Sequence, residues 1–208
     1  MEAEENWKKD AGDWYLETSK KKHGVTESAA RATSENIEIS QTKQSELLKG
    51  DYSKENLEAY NTEGKNIITE RENAFRGDWR VFREYLTELV NGKIPGKEYL
   101  SEQDIATISD LVKLSTDEIL KDPDGYIEKA TKIFENISPK FEEKGIAGPL
   151  KDVYTAITAS GKSLVESVKT QQEDQKIIDD WASESILKQN GVDSESLTAY
   201  KQGSKTAT

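Results

Sequence analysis

The sequence predicts an all-α protein, an elongated bundle of about five to seven helices. Three observations carry that reading. Apolar residues recur three and four apart along most of the chain, and strand-like alternation is nearly absent. The background is rich in the strong helix formers Glu, Lys, Ala, Leu and Gln. Apolar residues make up only 34% of the chain against 33% charged, so they must be gathered on narrow stripes, which suits helices packed in pairs. Four Trp, eight Tyr and four Phe supply the large buried surfaces that keep so charged a chain in the folded class.

The elements follow in order. Ala3, Trp7, Ala11 and Trp14 share one face of a first helix. The run Lys20-Lys21-Lys22-His23-Gly24 reads as its stop, with cations near the negative end of the helix dipole and a glycine beyond it. Residues 26–49 carry a thin stripe (Ala29, Ala32, Ile37, Leu47, Leu48), predicting an exposed helix that Gly50 ends. Ser53, Asn56, Leu57 and Tyr60 start another segment.

The clearest helix is predicted over 67–90, where Phe75, Trp79, Phe82, Leu86 and Leu89 form a heavy aromatic face. Asn91-Gly92-Lys93-Ile94-Pro95-Gly96 breaks it. Ser101-Glu102-Gln103-Asp104 resembles a capping box, with Ile105, Ile108, Leu111 and Val112 as the buried face that follows. Ser115 or Thr116 caps a short turn through Leu120, and Asp122-Pro123-Asp124-Gly125 is expected as a turn. Tyr126, Ala130, Ile133, Phe134 and Ile137 define the next face, which Ser138-Pro139 is expected to end.

Gly145, Gly148 and Pro149 make 142–149 the most linker-like internal stretch. Leu150, Val153, Tyr154, Ile157, Leu164, Val165 and Val168 then trace a long helix with a bend expected at Gly161, running toward Trp181 and a stop at Asn190-Gly191. The tail from Lys201 is polar, and disorder is expected there. Hinges are expected near 92–96 or 145–149. The division that follows is a helical module over 1–149 and a second helical segment over 150–208, with a single domain as the equal alternative. Residues 45–65 and 183–205 share a helix end, a glycine stop and a Leu-x-Ala-Tyr core. That pattern reads either as an internally repeated helical hairpin or as two chance-similar corners in a low-diversity sequence.

Composition removes much chemistry. The chain has no Cys, one His and one Met, so a thiol nucleophile, a Cys/His zinc site and a disulfide are excluded, and any Ser–His–acid system would run through His23. A net charge of −11 disfavours phosphate backbones and anionic membranes. No window approaches the roughly 18 apolar residues of a transmembrane helix, and the acidic N-terminus has no apolar signal-peptide core. Asp122-Pro123-Asp124-Gly125 lacks the remaining ligands of a calcium loop, and Gly161-Lys162-Ser163 lacks the upstream glycine of a phosphate loop. Asn136-Ile137-Ser138 is a formal glycosylation sequon followed by Pro. No catalytic, cofactor or metal residues are assigned.

The expected role is a non-catalytic helical interaction or structural protein that binds a protein partner or copies of itself. Virion and scaffold components and secreted or surface helical repeats share this composition, and that analogy is of composition alone. A secreted effector or toxin component is the alternative, and a hydrolase using two carboxylates ranks third. Expected partner contacts are Trp7, Trp14, Tyr15, Phe75, Trp79 and Phe82, although aromatics at helical spacing are more often core.

Overall fold

A computed structural model describes residues 2–25, 27–49 and 54–189; side chains are not described for 2–11, 27–30, 33, 45–49, 54, 56, 57, 177, 178, 181, 182 and 184–189. Of the described residues 88% are helical, in seven α-helices and no strands, which is an all-α multi-helix bundle. The helices are α1 (Glu2–Lys22), α2 (Glu27–Lys49), α3 (Lys54–Val90), α4 (Glu102–Val112), α5 (Thr116–Lys121), α6 (Pro123–Glu143) and α7 (Ala147–Gln189), with a 3-10 turn at Lys97–Tyr99. The chain divides into two units, Met1–Ser167 and Val168–Thr208. The described part of the second is the C-terminal stretch of α7, where Gln175 Nε2 donates to Asp179 at 2.9 Å.

The first unit is built on α3. Its 37 residues span about 55 Å at 1.5 Å per residue. The helix begins well before residue 67, at Lys54, and runs through Gly64 without a break. Buried Tyr60 and Ile67 on either side of Gly64 continue the apolar stripe, and their burial outweighs the ~1 kcal/mol helix cost of one glycine. Phe75, Trp79 and Phe82 are 0%, 1% and 1% exposed. All three make T-shaped contacts with Tyr126 at the start of α6, with ring centroids 6.0, 6.4 and 6.4 Å away. Burial pushes the Tyr126 phenol above its ordinary pKa, so it stays neutral in this cluster.

Local signals place α4 and α5 as expected. Ser101 accepts from the Asp104 amide while the Asp104 carboxylate accepts from the Ser101 amide. Ser115 and Glu118 repeat the arrangement. Two expected breaks are corrected. Asp122 caps α6 by accepting from the Gly125 amide at 3.1 Å, with Pro123 as the first helical residue, so the expected turn is a helix start. Pro139 lies inside α6 and does not end it. An interior proline costs ~3 kcal/mol, but Ile137 before it and Phe141 after it are buried on the same face and hold the helix together.

The two expected hinges are packed corners. At 92–96, Ile94 is buried, and a Cβ on Gly96 would lie 2.7 Å from Phe141 Cζ and 2.9 Å from Leu89 Cδ1. At 145–149, the Ile146 amide donates back to Phe141 O at 2.9 Å across Gly145 at φ 70°, and Ile146, Ala147 and Leu150 are buried. At Gly161 the helix α7 continues, and the glycine serves a close crossing: a Cβ there would lie 2.5 Å from Ile127 Cδ1 and 3.0 Å from Phe75 Cε2. Gly50, Asn190-Gly191, the tail, and most of the candidate repeat lie outside the described residues.

These corners separate two costs of replacing glycine. Gly145→Ala meets open space and carries only the left-handed backbone penalty of about 1–2 kcal/mol. Gly96→Ala adds a clash with Phe141 and Leu89, and should lose about 3 kcal/mol or more. Urea unfolding of the two variants beside the parent chain measures the difference; equal losses would show that the Gly96 corner repacks freely.

Candidate functional site

Two polar features stand out in the first unit, a carboxylate hub and a groove. The hub forms where the end of α1 meets α3. The stop read at His23-Gly24 is present: the Gly24 amide donates to Lys21 O at 3.2 Å and the Val25 amide to Lys20 O at 2.7 Å, with Gly24 at φ 73°. This turn holds His23 against α3. Glu84 accepts from Tyr15 Oη at 3.1 Å, Ser19 Oγ at 3.1 Å, Lys22 Nζ at 3.0 Å and His23 Nε2. Burial works to raise the Glu84 pKa, but the Lys22, His23, Ser19 and Tyr15 donors together outweigh it and pull the carboxyl down to about 2. Burial, then the charge of Glu84, push the Tyr15 phenol upward, so it stays a neutral donor.

The hub is a clamp by its geometry. Ser19 is buried and its hydroxyl goes directly to Glu84, as does the His23 ring, so these groups share an acceptor and form no Ser–His–acid relay.

The groove has a volume of about 1040 Å³. Its floor is α3, where Arg71, Ala74, Gly77, Asp78 and Val81 recur at helical spacing. One wall is α7, with Asp152, Val153, Ala156, Ala159, Ser160 and Ser163. The other wall combines Glu17, Lys20 and Lys21 of α1, Val25 after it, and Ser34 and Ile37 of α2. On the α7 wall Ala156, Ala159, Ser160 and Ser163 are small. Gly77 lies close under the wall, where a Cβ would lie 3.0 Å from Val25 Cγ2 and push that methyl aside.

Its charged groups are fixed by different partners. Arg71 Nη1 donates to Ser163 O at 2.8 Å and to Ser167 Oγ. Burial lowers the Arg71 pKa, and Glu166 opposes that shift. Burial raises the Asp78 pKa, against the Ser160 hydroxyl and the Lys20 charge. Lys20 pairs with Glu17 at 3.6 Å.

The expected partner-contact residues separate sharply. Phe75, Trp79 and Phe82 are core, packed under Tyr126, and this corrects their expectation as surface contacts. Tyr15 is half-buried and committed to Glu84. Trp14 is 70% exposed, since the buried face of α1 is Gly12, Leu16 and Ser19. The side chain of Trp7 lies outside the described residues. The Asn136 amide donates to Asp104 from within α6, which ties down the sequon.

Glu84, Arg71 and Asp78 escaped the sequence reading because nothing distinguishes them among so many charged residues. Gly77 was the available signal, an isolated glycine inside a helical pattern, which marks a close approach. Among the described residues no cluster of three His, Asp or Glu could hold a metal ion, and no helix is long and apolar enough to cross a membrane. Comparison with protein-family models, curated proteins and solved structures returns no match.

The Glu84 pKa gives a signed expectation. A folded-state pKa near 2 lies below the ordinary 4.5. The carboxylate therefore stabilises the fold above about pH 4.5, and that contribution is lost as pH falls from there toward 2. Glu84→Gln should lower the melting temperature at neutral pH, and its deficit relative to the parent should shrink across that acid range. A deficit independent of pH would show that the carboxylate's charge is not what holds α1.

Proposed function

We propose that this is a non-catalytic helical interaction protein, whose working surface is the groove floored by α3. The observation that carries the reading is the groove's construction: two long helices present stripes at three- and four-residue spacing, in which Ala74, Gly77, Ala156, Ala159, Ser160 and Ser163 are small, to an open space of about 1040 Å³. Small residues at that spacing let another helix approach and seat large side chains between them. The protein partner and any self-association belong to this reading, as does a structural or assembly role.

A cysteine-free chain makes the test direct. Thr155→Cys puts the only thiol on α7 four residues before Ala159, exposed beside the wall, where an environment-sensitive fluorophore can be attached without filling the groove. Titration with a designed amphipathic Leu/Glu/Lys helical peptide, and separately with unlabelled chain, should give a saturable blue shift in at least one series. A probe that responds to neither would overturn the reading.

One observation favours a second reading, the carboxylate-dependent hydrolase: Asp78 sits in the groove with its pKa raised, and Asp152 lies on the same lining. On that reading, chromogenic glycosides should be turned over by the parent chain and not by Asp78→Asn. Absence of turnover by the parent removes it.

A further inference from the structure

Trp14 and the groove belong to one surface. Trp14, Glu17 and Lys21 stand at i, i+3 and i+7 on α1, which places them on one helical face. Glu17 and Lys21 line the groove, so the exposed indole stands one turn beyond its edge. Trp14 is large and 70% exposed, so its ring is available as an anchor at the edge of the groove.

The charges say what such a surface accepts. The chain carries −11, so a second copy is repelled by most of the molecule. The groove differs: Lys20, Lys21 and Arg71 are matched there by Glu17, Asp78 and Asp152. A surface with balanced charge does not attract a strongly acidic or strongly basic partner. Lys20 pairs with Glu17 in the same copy and Arg71 is held by Ser163 and Ser167, but the exposed charges outside those contacts, Lys21 and Asp152, can be set against each other by a two-fold rotation. A knob and a hollow side by side on one surface have the same property, because the rotation places each knob over the other copy's hollow.

We propose that the occupant of the groove is a second copy of this chain, in a two-fold dimer in which Trp14 of each copy seats against the Ala156 and Ala159 wall of the other. The proposal rests on the reading of the groove as an interaction surface and adds the identity of the partner. The Trp14 indole supplies a large rigid anchor, of the kind that dominates interface energetics. Its seat is the apolar stretch formed with Val153, and the surrounding charges fix the register.

Two exposed-site variants test this with little effect on the fold. Trp14→Ala removes the knob, and Ala159→Trp fills the hollow. Light scattering and sedimentation equilibrium of the full chain, over a range of concentrations, should show a monomer–dimer equilibrium. Either substitution should weaken it at least ~10-fold, which corresponds to ~1.4 kcal/mol. Mixing the two variants should restore dimers, because the Trp14 of one then meets the open groove of the other. A parent chain that stays monomeric, a dimer indifferent to both substitutions, or a mixture no tighter than either variant alone would overturn the proposal. If the chain is monomeric while the fluorophore at position 155 still answers the designed helix, only the second-copy assignment falls. If neither responds, the interaction reading falls with it.

Discussion

The aromatic face of α3 is the constraint on which the first unit depends. Phe75, Trp79 and Phe82 converge on Tyr126 and are almost fully buried there. Each such ring buries 150–250 Å², worth roughly 4–6 kcal/mol at most by area. In a chain with 34% apolar residues, few other contacts approach that size. The same stripe extends to Leu86 and Leu89, against which the 92–96 corner closes. With α3 fixed in this way, its far side carries Glu84 toward α1 and one flank forms the groove floor beside α7.

What was legible in the sequence is what is local. The Ser101 and Ser115 caps, the Gly24 stop and the aromatic stripe each follow from residues within about two helical turns of one another. The misreadings share a cause in long-range packing. Pro139 and Gly64 carry strong breaking signals, and both are overridden by buried neighbours on the core face. Trp14 was grouped with Trp7 on an apolar face, yet the face that packs among the described residues carries Gly12 beside Pro149 of α7 and Ser19 against Glu84 of α3, with Leu16 buried between them. The hub was invisible because its acceptor lies more than sixty residues from every donor.

Low apolar content also explains why polar contacts carry so much of α1. Leu16 is its one large buried apolar side chain among the described residues. A single ionised carboxylate that satisfies Tyr15, Ser19, Lys22 and His23 does the work that several leucines would do elsewhere. Charge-assisted hydrogen bonds are strong enough for this, and they leave the outward face of the helix free for Trp14. Position and exposure of the groove wall are therefore set by the same contacts that dock the helix.

The spacing of the hub along the chain has a kinetic meaning. Its donors lie 61–69 residues from Glu84, whereas the caps of α4 and α5 join residues three apart. Contacts of the second kind form without closing a loop, and those of the first kind wait until the intervening chain has been organised. By the same measure the Arg71 contacts to α7, 92 and 96 residues apart, wait longer still, so the local caps precede the docking of both α1 and α7.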